Sequence, residues 1–142
     1  MRRLNAHLFY RTPAVDETER LAWCRHQLVE AAQLLAVGPD GHAAALPDFV
    51  HVPDELRLVW HDAFVLAPQV RDAGLISADT FRLAASVDEA IKAAPVVHDY
   101  DAALQTIAKS PEWDLVRDRA QALARALGVE AEPPDLQAGY VR

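Results

Sequence analysis

One cysteine and five glycines are all that 142 residues hold of those types. The lone Cys24 excludes an internal disulfide and a metal cluster built from cysteines, and it fits a reducing, cytoplasmic setting. Scarce glycine leaves no G-x-G-x-x-G or G-x-x-x-x-G-K-[ST] loop to cradle a phosphate and no G-x-S-x-G elbow to present a nucleophile. No run of residues approaches the roughly 18 uninterrupted apolar positions that a membrane span requires. The opening stretch, MRRLNAHLFYRTP, begins basic. Its apolar part is broken by Asn5, His7 and Arg11 with no small-residue cleavage site behind it, so it reads as no signal peptide.

Positive charge is scarce as well. There are 14 Lys and Arg against 21 Asp and Glu, a net charge of −7. Twelve of the basic residues are Arg, a bias that fits a GC-rich bacterial coding sequence. They are scattered, with only Arg2–Arg3 and Arg117/Arg119 close together. Nucleic acid and anionic membrane surfaces are therefore disfavoured, because both demand concentrated cations. The expected partner is a basic protein, which an acidic surface would steer, or a second copy of the chain. No cofactor is implied.

What is present is a helix-forming sequence, 51% apolar and 25% charged. Its periodicity predicts an all-α fold: a compact bundle of four to six helices in a single domain, 1–142, with 129–142 as an extended tail. The first helix is expected from Thr12-Pro13 to Val37, with Leu21, Cys24, Leu28, Ala32 and Leu35 as its core stripe and Gly38-Pro39 as its stop. Residues 38–52 read as an irregular covering loop anchored by Phe49. A helix from Pro53 carries Leu56, Val59, Trp60, Ala63, Ala67 and Val70 on one face and Leu58 and Val65 on the other. Two apolar faces suggest the central helix, interrupted at Pro68 and ended at Gly74. Ser77 caps the next helix, and Ser86 with Glu89 forms a capping box that suggests a restart. Asp99 or Asp101 opens another. Ser110-Pro111, with Glu112 and Asp114 behind them, start the clearest helix, on which Trp113, Val116, Ala120, Leu123 and Leu127 form a stripe ended by Gly128.

Residues able to carry chemistry are few. The order His26, His61-Asp62, Asp99 resembles the metal-binding signature of the HD phosphohydrolase superfamily. That resemblance implies a divalent metal held between helices and used to hydrolyse phosphate esters. The structural alternative makes His61 a core histidine and Asp99 an N-cap. Cys24, on a core stripe and without a partner base, reads as a small apolar residue. A third possibility is a small-molecule pocket lined by the three Trp and a buried His61. Trp23 and Leu34 fall off the first helix's stripe on a similar bearing and are the candidate protein interface, unless the loop at 38–52 or the tail covers them.

The segment Ser110-Pro111-Glu112-Trp113, Val116-Arg117, Ala120, Leu123, Leu127-Gly128, together with Leu58-Val59-Trp60 and Gly74-Leu75-Ile76, is similar to small all-helical bacterial proteins of unassigned activity. Some of these resemble the immunity proteins of toxin systems. The resemblance implies a helical fold and carries no site residue. The expected function is thus a non-enzymatic, protein-binding helical domain of immunity or antitoxin type, with the HD-like hydrolase as the alternative.

Overall fold

Asp16 has extended backbone, and its side chain accepts a hydrogen bond from the Glu19 amide at 2.7 Å. This cap starts α1 (Glu17–Ala36); the expected Thr12-Pro13 start lies outside the residues 16–137 that the computed structural model describes. The remaining helices are α2 (Pro39–Ala45), α3 (Val52–Phe64), α4 (Ala67–Asp72), α5 (Ala78–Ala93), α6 (Tyr100–Lys109) and α7 (Pro111–Ala126), with no strand among the described residues. Among the described residues the fold is an all-α bundle of five longer helices and two short ones.

The central helix is α1. It packs against α7 on one side and α3 and α4 on the other. Cys24, Leu28, Ala31, Ala32 and Leu34 are wholly buried along it. The expectation that the Pro53 helix is central is overturned. Val59 and Trp60 of α3 face the core, but Val65 at its end is 59% exposed and His61 points outward. A second apolar stripe on a sequence is not a second buried face unless an element covers it, and none of the described elements covers Val65.

Local chemistry explains the boundaries. The α3–α4 break falls two residues before Pro68, whose missing N–H and ring cannot continue the ladder. The chain closes α3 with a Leu66 amide to Ala63 carbonyl bond at 3.2 Å and restarts at Ala67. Gly74 and Gly128 both adopt positive φ, 77° and 80°. Each lets the next amide reach back five residues, Leu75 to Val70 and Val129 to Ala124, both at 3.0 Å, the Schellman closure that glycine favours. Ser77, Asp99 and Ser110 cap α5, α6 and α7 through their side-chain oxygens. The Ser86–Glu89 capping box is not used: α5 runs unbroken, and Ser86 Oγ instead donates to the Leu83 carbonyl at 2.7 Å. Burial of Val87, Ala90 and Ile91 on the far side of Ser86 holds the helix through it.

The stretch expected to be an irregular loop, 38–52, contains α2. Phe49 is not its anchor, being 37% exposed, whereas His42, Ala45, Leu46 and Val50 are buried. The tail from Val129 has extended character and drapes on the body. Leu136 is buried, Gln33 Nε2 donates to the Glu130 carbonyl at 3.2 Å, and Gln137 Nε2 donates to the Ala44 carbonyl at 3.2 Å.

Candidate functional site

The residues that resemble an HD signature are not brought together. His26 is exposed on α1, with Nε2 3.4 Å from Glu30 Oε1, one turn along the same helix. His61 is exposed on α3, which also removes the core-histidine reading. Asp99 Oδ2 accepts the Ala102 amide at 2.9 Å and is the cap of α6. Among the described residues, no group of three or more His, Cys, Asp or Glu side chains is placed to hold a metal ion, so His26, His61, Asp62 and Asp99 form no such site.

The proposed Trp23–Leu34 face is also corrected. Leu34 is wholly buried in the core, and Trp23 is half-buried and packed against that core. The reason is tertiary. With α7, α3 and α4 around it and the tail bonded to Gln33, α1 has no uncovered side toward its C-terminal end. Trp60 and Trp113 are buried, and no Trp or His61 lines the cavity described next.

That cavity lies between α2, the turn after it, and α6. It measures about 300 Å³. Leu46, Val52, Leu104 and Ile107 supply apolar walls, and the exposed side chains of Asp40, Asp48 and Tyr100 stand at its rim. The geometry comes from local sequence. Pro39 at the first helical position and Asp40 in the first turn start α2 directly after α1 ends. Gly41 then allows α2 to lie tightly on Val37. His51, which precedes α3, sits 3.2 Å from Asp54 and meets the Tyr100 ring edge-on at 6.0 Å between centroids.

His42 forms part of the α2 wall and is 3% exposed. Its Nε2 lies 3.1 Å from the Leu34 carbonyl. A carbonyl only accepts, so Nε2 carries the proton and Nδ1 presents a bare lone pair. Nδ1 is buried and has no hydrogen-bond partner. Burial lowers the pKa of His42 to about 4, with the Arg117 cation acting in the same direction and the Leu34 and Val37 carbonyls opposing. The imidazole is therefore neutral near pH 7.

Apolar walls with two carboxylates and a phenol at the rim suit recognition. Among the described residues that line the cleft, no nucleophile is paired with a base. Sequence reading missed the cleft because it took 38–52 as irregular. The signal was present in Gly38-Pro39-Asp40, a helix start, followed by His42, Ala45 and Leu46 at helical spacing. No helix among the described residues is long and apolar enough to cross a membrane. Compared with known protein families, curated proteins and solved structures, the chain has no significant match to any of them.

Proposed function

We propose that this chain is a non-enzymatic protein-binding domain, of the immunity or antitoxin type, that holds an apolar side chain of a basic partner in the α2–α6 cleft. The observation that carries the reading is the make-up of that cleft: an apolar interior rimmed by Asp40, Asp48 and Tyr100. Its volume is at the low end of the ~300–1,000 Å³ typical of ligand pockets, which suits one anchoring side chain. An anchor seated in a desolvated pocket sets the off-rate. A net charge of −7 speeds the approach of a cationic partner. The exposed Phe49, next to Asp48, extends the apolar surface outside the cleft.

Selection from a random peptide library displayed on phage tests this, with a chain carrying Ala43→Arg in the cleft wall for counter-selection. Peptides in which Lys or Arg flanks a large apolar residue should be enriched, and their affinity should fall at least tenfold on Ala43→Arg. Failure to enrich any cleft-dependent peptide, or enrichment of acidic ones, overturns the proposal.

A further inference from the structure

We infer that α2 is a proton-operated wall of the cleft: acid protonates His42, and the charged ring leaves the core together with α2, opening the cleft.

The surroundings of the ring allow it no charge. An imidazolium donates from both nitrogens. Nε2 already donates to the Leu34 carbonyl, whereas Nδ1 is buried and makes no hydrogen bond. The elements packed around α2 do not supply a counter-charge. From α1 come the carbonyls of Leu34 and Val37, and from α6 come Tyr100, Leu104 and Ile107. The tail contributes the neutral amide of Gln137, on the Ala44 carbonyl. The charged side chain that acts on the ring is Arg117 of α7, which is of the same sign and is held at 2.7 Å by the exposed Asp114 of its own helix; that carboxylate is engaged with Arg117 and not with the ring. The carboxylates of Asp40, on α2 itself, and Asp48, beyond it, stand exposed at the rim. Protonation in place would thus leave a buried charge and an unpaired N–H, and exposure of the ring relieves both.

The helix that carries His42 is the one best able to move. It is seven residues long, and only His42 and Ala45 of those seven are buried. A helix of that length has little stability of its own. It packs only slightly on α1 and α6, unlike α5 or α1 on α7. Opening therefore sacrifices little apolar burial, and such segments occupy the low-stability end of a structure. Since α2 supplies Pro39, Asp40, His42 and Ala43 to the cleft, its departure removes one wall. The movement stands on the geometry of His42 alone; that it would release a bound partner rests on the function proposed above.

Hydrogen exchange of the unliganded full chain tests the movement without any ligand. After correction for intrinsic exchange rates, the opening constant of α2 amides should rise roughly a hundredfold between pH 7 and pH 4. That is the linkage expected when one group has an ordinary histidine pKa in the open state and one near 4 in the closed state. Amides of α7 should remain protected throughout. His42→Gln, whose amide can still donate toward Leu34 but does not titrate, should abolish the rise in α2. Nitrogen-15 spectra of the wild-type ring give an independent measure: a neutral Nε2–H tautomer that titrates well below the usual histidine range. A ring that titrates normally, α2 exchange that is flat with pH, or α2 and α7 losing protection in parallel would each overturn the inference. Peptide binding at pH 7 is a separate measurement, so loss of the proposed function and loss of the proton response are told apart.

Discussion

A Cβ added to Gly41 would stand 2.5 Å from both Cβ and Cγ2 of Val37, so the absence of a side chain on α2 is what lets it fold back against the end of α1. Helix propensity alone favours Ala over Gly by about 1 kcal/mol. Packing decides the sign here. Val37 is buried and its branched Cβ has nowhere to turn, so Gly41→Ala should destabilise the protein by about 1–3 kcal/mol. Gly38 has extended backbone and open space around it. Gly38→Ser should be neutral or add a few tenths of a kcal/mol as a new N-cap. Urea midpoints of the two variants check the contrast.

Leu34 and Leu123 are wholly buried. Truncation of either to Ala should cost about 2–5 kcal/mol, and Trp60→Ala or Trp113→Ala about 3–5 kcal/mol. Trp60 also donates from Nε1 to Asp88 Oδ1 at 3.2 Å, joining α3 to α5. A Leu34→Ala protein as stable as the wild type would show that this position is not core.

Arg57 acts as a clamp. Its Nη2 donates to the carbonyls of Ala94 and Pro95 at 3.1 and 2.8 Å, and its guanidinium lies 5.1 Å from the centre of the Trp113 ring. It fixes the extended link between α5 and α6 onto α3. Arg57→Met keeps much of the aliphatic stem but removes the donors, and should cost about 1.5–3 kcal/mol. Amide shifts confined to residues 94–98 and to the Trp113 neighbourhood would locate the loss.

The stability of the whole protein should fall as pH is lowered through the window set by His42. Its pKa is lowered from 6.5 to about 4 on folding. Between those values the unfolded chain binds more protons, so stability rises with pH there and is fully present above the unfolded pKa. The difference is worth about 3 kcal/mol between the two limits. Denaturant midpoints of wild type minus His42→Gln, followed from pH 7 to pH 4, isolate this contribution from that of the carboxylates.

His61→Ala should change stability by no more than about 0.5 kcal/mol, as expected for an exposed position. A larger loss would place the ring in contacts that its exposure excludes. Trp23→Ala, by contrast, should lose stability, because that side chain packs against the core cluster.

The sequence by itself determined the all-helical character and most helix ends. Those signals are local: Ser77, Asp99 and Ser110 cap with their own side chains, Pro68 cannot donate, and Gly74 and Gly128 accept positive φ wherever the helices are packed. Periodicity also placed Trp113, Val116, Ala120 and Leu123 in the core. Tertiary structure decided what covers what. The stripe of α1 identifies one buried face, but burial of Leu34 follows from neighbours that arrive from distant parts of the chain. The second stripe of α3 looks the same on paper, yet Val65 and His61 stay exposed because none of the described elements comes to them. Nor does order along the chain bring His26, His61, Asp62 and Asp99 to one point, since each lies where its own helix directs it. The cleft arose the same way: α2 and α6 are joined only by folding, and the neutral state of His42 depends on its burial and on a cation from α7, against the pull of carbonyls from α1. Burial and electrostatics are set by distance in space, which no local pattern encodes.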